Sequence, residues 1–174
     1  MTFVLTDAGM ERDAVISPCG LYRYSLTRRW ASGAPVLFVM LNPSTADATI
    51  DDPTIRRCVG FARAWGAPAI EVVNLFAYRA TDPVDLAAAR LGGLDIVGPE
   101  NDLHIAAAAE RTSSCVVAWG AHAEAIQRAG DVWRLLAERV SVHALGITKA
   151  GAPRHPLYLR ADSKPLPYRS ARST

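Results

Sequence analysis

The sequence predicts an α/β protein with a three-layer α/β/α architecture around a four-stranded, mainly parallel central sheet. Three observations carry that expectation. Apolar runs at residues 36–41, 69–77, 115–119 and 140–145 each end at polar or turn-forming residues, as strands buried on both faces of a parallel sheet do. Segments with helix-start chemistry lie between them, and alternation of strands with helices points to parallel βαβ units. Polar or unusual residues also follow every run: Asn42-Pro43-Ser44-Thr45, Asn74 with Tyr78 and Arg79, Trp119-Gly120, and a loop from Lys149 to Tyr158. Right-handed crossovers bring the four strand ends to one side, where ligands collect in open α/β sheets.

Taken in chain order, Tyr22, Tyr24 and Leu26 alternate with Arg23, Ser25 and Thr27, the period of a half-exposed strand. Arg28-Arg29 then reads as a solvated hairpin end before the turn at 32–35. The run 36–41 halts at Asn42 because Pro43 cannot donate to a sheet ladder. Asp52-Pro53 is a helix start, with Asp capping free amides and Pro suited to the first helical position. Ile55, Cys58, Val59, Ala62 and Trp65 give that helix one apolar face, and Gly66 ends it. Asp82-Pro83 starts a second, short helix ending near Gly92-Gly93. Residues 99–111 read as a third, with Asn101 and Asp102 in its first turn. Residues 122–130 are helical, and 132–139 form another helix or a continuation after a break.

Half of the 174 residues are hydrophobic and the formal net charge is +2. That length fits one domain, with a core over 20–160 and an irregular tail over 161–174. No apolar run approaches the roughly 18 residues of a membrane span, and the start lacks a basic region followed by an apolar stretch. A soluble, cytoplasmic monomer is expected. Cys19, Cys58 and Cys115 fit neither a disulfide framework nor zinc or iron–sulfur spacing and read as buried, reduced thiols. His104, His122, His143 and His155 lack metal-ligand spacing, and neither Gly-x-Gly-x-x-Gly nor a P-loop nor Gly-x-Ser-x-Gly occurs. No metal and no cofactor are expected. His155 stands out, because Pro153 and Pro156 stiffen its loop and Arg154 and Lys149 add positive charge.

Four segments, in order, resemble the motifs of the uracil-DNA glycosylase superfamily. Leu41-Asn42-Pro43-Ser44 is similar to the first active-site motif in its Asn-Pro variant. Val72-Val73-Asn74-Leu75, continuing to Arg79-Ala80, resembles the strand whose Asn reads the extruded base. Residues 116–123, Val-Val-Ala-Trp-Gly-Ala-His-Ala, resemble a Trp-Gly-x-x-Ala stretch, and Arg154-His155-Pro156-Leu157-Tyr158 sits where the second active-site motif begins with His-Pro. The whole chain also resembles a bacterial family described only as a domain of unknown function, on its Asn-Pro-Ser-Thr-Ala-Asp, Asn-Leu-Phe and Arg-His-Pro-Leu-Tyr signatures.

The glycosylase resemblance implies an enzyme that cleaves the N-glycosidic bond of a damaged or modified base in DNA. Its alternatives are an enzyme on a free nucleoside or nucleotide, or a non-catalytic nucleic-acid or nucleotide binder. Such a glycosylase holds its base out of the stack. Asn42 would orient water, with Asp47 assisting because an amide is no base. Asn74 would read the base edge, since a carboxamide both donates and accepts. His155 would stabilise charge on the leaving base. Pro43, Ser44, Thr45, Trp119 and Gly120 would line the pocket, and Phe76 or Tyr78 would stack on the base. Arg79 would stand beside the pocket or pair with Asp82 or Asp85. Lys149 and Arg154 would meet DNA phosphates, and Leu157 or Tyr158 would wedge into the duplex. Departures are visible: the second motif lacks the family's phosphate-pinching Ser, and three cysteines are too few for the branches that bind an iron–sulfur cluster.

Overall fold

A computed structural model describes residues 4–6 and 9–169. Residues 170–174 of the expected irregular tail lie outside the described residues. The strands are β1 (Val4–Thr6), β2 (Met10–Ile16), β3 (Arg23–Arg29), β4 (Val36–Met40), β5 (Ala69–Asn74), β6 (Ser114–Val117), β7 (Val142–Ala144) and β8 (Leu166–Pro167). The helices are α1 (Pro53–Ala64), α2 (Pro83–Leu91), α3 (Asn101–Arg111) and α4 (Ala125–Ala137), with a 3-10 turn at Pro156–Tyr158. They form an α/β fold with one mixed, partly parallel sheet.

The predicted runs are parallel to one another: β5 beside β4, β4 beside β6, β6 beside β7. β4 shows why. It is buried throughout, and its alternate side chains feed two cores. Leu37 and Val39 pack with Leu86, Ile105, Val132 and Leu136 from α2, α3 and α4, while Val36, Phe38 and Met40 pack with Ile55, Cys58 and Phe61 from α1. A strand facing water on one side would need polar residues at every second position.

The sheet is larger than the four strands expected. Its order is β1-β2-β3-β5-β4-β6-β7-β8, with antiparallel additions at both ends. Short alternating or irregular segments acquire pairing only when the neighbouring edge is present, which periodicity cannot reveal. Two readings of β3 fall with this. Arg23 and Ser25 are buried at 2% and 5% exposure, so the strand is covered on both faces, and the loop after β4 meets Arg23 through the Ala46 carbonyl. Arg28, expected at a solvated hairpin end, is fully buried. Its guanidinium donates to the Asp51 carboxylate (2.8 Å) and to the carbonyls of Asp47 (2.5 Å), Ile50 (3.3 Å), Thr27 (2.8 Å) and Asp13 (3.4 Å). A cation survives burial when its donors are met in this way.

Helix starts follow the local chemistry. Asp52 caps α1 by accepting from the Ile55 amide (2.8 Å), and Asp82 caps α2 from Val84 (2.9 Å). Asp52→Ala should cost about 0.5–2 kcal/mol and Asp52→Asn almost nothing; urea-unfolding midpoints that move equally for both would refute the cap. The two helical segments foreseen around Gly130 are one helix, α4, because a single Gly in a helix costs only about 1 kcal/mol against Ala. Of the expected irregular tail, the described residues up to 169 form one short strand, β8, and pack on the core. Leu166 pairs with Ala144, and Tyr168, 6% exposed, meets Trp119 edge-on at 6.1 Å. Of the cysteines, Cys58 and Cys115 are buried, which pushes both thiols up, whereas Cys19 is exposed. No helix among the described residues is long and apolar enough to cross a membrane.

Candidate functional site

The loops leaving the carboxyl ends of β4 and β6 meet the segment after β7, and between them lies a cavity of about 740 Å³. The size is that of small-molecule sites, roughly 300–1,000 Å³. Asn42, Ser44 and Thr45 line it from the loop after β4, Trp119 and Gly120 from the loop after β6, and Arg154, His155, Leu157 and Tyr158 from the last segment. Backbone hydrogen bonds lace the walls together. Gly120 donates to Pro153 (2.9 Å), Ala80 to Pro43 (3.0 Å) and Arg154 to Gly146 (2.8 Å).

Asn42 is held in one orientation. Its amide nitrogen donates to the Ala80 carbonyl (2.8 Å) and the Pro43 carbonyl (3.1 Å). Both partners are acceptors only, so the NH2 must face them and the carboxamide oxygen is turned away. That oxygen can accept from a water, but the group cannot take a proton at neutral pH.

His155 sits just before the 3-10 turn, and its Nδ1 accepts from the Leu157 amide (3.4 Å). In the neutral ring the proton is then on Nε2. Burial lowers the imidazole below its ordinary value, Asp52 opposing and His122 reinforcing the shift. The ring is thus a neutral Nε2–H donor at neutral pH. Its neighbour Tyr158 is 79% exposed at the rim with Leu157 at 44%.

Among the lining residues not expected at the site are three charged or titratable ones, Arg23, Asp52 and His122. Arg23 donates to the Ala46 carbonyl (2.8 Å) and to Asn74 Oδ1 (3.2 Å). Burial brings its guanidinium down to about 10, partly offset by Asp52, so it stays charged at neutral pH. Its signal was present in the sequence as a charged residue alternating with Tyr22 and Tyr24; strand period alone cannot tell a covered polar face from a wet one. Asp52 was legible only as a helix cap.

Other expected site residues stand away from the cavity. Asn74 is 1% exposed and lies behind Arg23. The Asp47 carboxylate closes its own loop, accepting from the Thr49 amide (2.7 Å), the Thr49 hydroxyl (2.9 Å) and the Ile50 amide (2.9 Å), bonds that lower it below the usual Asp value. Phe76 is in the apolar core. Tyr78 packs edge-on against Tyr22 at 6.5 Å, and Arg79 donates to the Gly20 carbonyl rather than to Asp82 or Asp85. Pro43 is buried beneath the loop. Lys149 is exposed in a tight turn closed by Gly151 on Thr148. Asn101, expected in the first turn of its helix, opens α3 and ties the end of β5, donating to the Asn74 and Leu75 carbonyls. Among the described residues no group of three His, Cys, Asp or Glu side chains is arranged to hold a metal ion.

The model of one protein family, described as protein of unknown function (DUF1643), matches residues 23–157. The chain belongs to the DUF1643 family. The matched span opens on Arg23 and closes on Leu157, so it takes in both sides of the cavity. No curated protein and no solved structure matches the chain.

Proposed function

We propose that the cavity hydrolyses the N-glycosidic bond of a nucleobase presented by DNA, on a fold of the uracil-DNA glycosylase type. The observation that supports this reading best is the convergence of Asn42 and His155 on one cavity, with Tyr158 and Leu157 exposed at its mouth. The oriented oxygen of Asn42 would hold a water against the anomeric carbon. As the glycosidic bond breaks, its electron pair leaves with the base, and the Nε2–H of His155 stabilises the developing anion. The Asp52 carboxylate, which lines the same cavity, would take the proton that the water loses. Tyr158 or Leu157 fills the gap in the stack when the base is extruded.

The test is base release from a panel of oligonucleotides bearing uracil, hypoxanthine, xanthine or modified pyrimidines, with Asn42→Ala/His155→Ala as control. Release by the wild type and none by the double variant is expected. Release undiminished in the variant, or none from any member of the panel, would remove this reading. A second reading, hydrolysis of a free nucleotide, is favoured by the burial of Asn74 behind Arg23, which takes the base-edge reader off the wall. Salt separates the two, because a duplex ligand loses affinity steeply with salt through counterion release while a small nucleotide does not.

A further inference from the structure

We infer that the inner wall of the cavity is an oxyanion-binding subsite in which Arg23 meets the ligand and Asn74 only positions Arg23. The inference rests on the cavity being a ligand site, not on which bond is cleaved there. Two buried arginines of β3 make the comparison. Arg28 spends its donors on a carboxylate and four carbonyls. Arg23, 2% exposed, has only the neutral oxygens of Ala46 and Asn74, and its Nε has no partner. Among the described residues its hydrogen bonds go to no carboxylate, Asp52 acting on it only from further off, although it lines the cavity. Burying a cation without a paired anion is unfavourable, and a ligand anion removes that penalty.

The chemistry of the group narrows the ligand. A guanidinium has donors only, so what it receives must present acceptors. Its planar fork matches the oxygen pairs of phosphate and carboxylate. Asn74 Oδ1 holds one arm of the fork, while Ser44, Thr45 and Thr54, which carry hydroxyl donors, line the same cavity. Arg154 adds a second cation to the lining, against one carboxylate, Asp52. A phosphomonoester fits both the charge and the space.

Calorimetric titration at constant ionic strength tests this with inorganic phosphate, uridine and adenosine 5′-monophosphates, and the two nucleosides. At least one monophosphate should bind about tenfold or more tighter than its nucleoside. Arg23→Gln should erase that advantage and leave the nucleoside unchanged; Arg23→Lys should keep part of it. Inorganic phosphate binding as tightly as the monophosphates would support the subsite with free phosphate as its source. Equal wild-type affinity for nucleoside and monophosphate, with no phosphate binding, overturns the proposal. So does a monophosphate advantage that persists in Arg23→Gln. Should that variant fail to fold, thermal unfolding of the wild type in phosphate against chloride at equal ionic strength decides, and an unchanged midpoint overturns it. Absent base release in the oligonucleotide panel leaves these outcomes intact, so the two proposals fail separately.

Discussion

Replacing Arg28 with Ala destabilises the protein by about 3–5 kcal/mol, the cost of breaking a buried ion pair by removing one partner. The side chain is fully buried, so its partners lose bonds that are made away from bulk water. Asp51 keeps a second partner in Arg12 at 3.0 Å, which moderates the loss on the carboxylate. The Ile50 carbonyl likewise keeps the Asp47 amide (3.2 Å), but the Asp47 carbonyl loses the Arg28 guanidinium, and an unpaired buried acceptor costs about 1–3 kcal/mol. Against a total stability of about 5–15 kcal/mol, this single change unfolds a large share of the population under mild stress. Arg28→Lys keeps the charge but not the fork, and should fall between the two. Urea unfolding is the measurement; a loss below about 0.5 kcal/mol for Arg28→Ala would show that the loop from 47 to 51 holds itself. Because that loop delivers Asp52 to the start of α1, the same variant should also loosen the cavity wall.

His155→Ala should slow base release about 10²–10³-fold, the usual loss when one donor to a developing anion is removed. A comparable loss of substrate binding with an unchanged single-turnover rate would instead make the residue part of the wall. The pH dependence has a definite sign. The imidazole is lowered from 6.5, burial being the main cause, so the neutral Nε2–H donor persists through neutrality. Any inflection in rate that belongs to His155 therefore lies below pH 6.5. Stability runs the same way. The unfolded chain takes up the proton first, so this residue's contribution is complete above the unfolded value and is lost as pH falls through the lowered one. His104, lowered mainly by burial, acts in the same direction. Comparing acid-unfolding midpoints of wild type and His155→Ala isolates one histidine: the variant should lose less stability on acidification.

The sequence by itself determined the parallel centre of the protein and the starts of its first two helices. Unbroken apolar runs admit no solvent-facing side, and Asp-Pro pairs carry their own capping geometry, so both are local facts. It also determined that Asn42 and His155 follow strands of that centre and hence share an edge. The tertiary structure alone decided how far the sheet extends, since β2 and β8 pair only because a neighbouring edge is presented to them. It decided the fate of the polar residues as well. Arg23 and Arg28 belong to one short strand and carry the same charge. One is saturated by a carboxylate and carbonyls that fold over it, and the other lines a cavity with its buried Nε unpaired. Asn74 and Asp47, sequence neighbours of good candidates, were drawn into the scaffold by partners from elsewhere or from their own turn. Burial and hydrogen-bond partnership of a polar group depend on what the rest of the chain brings to it, and no local pattern encodes that.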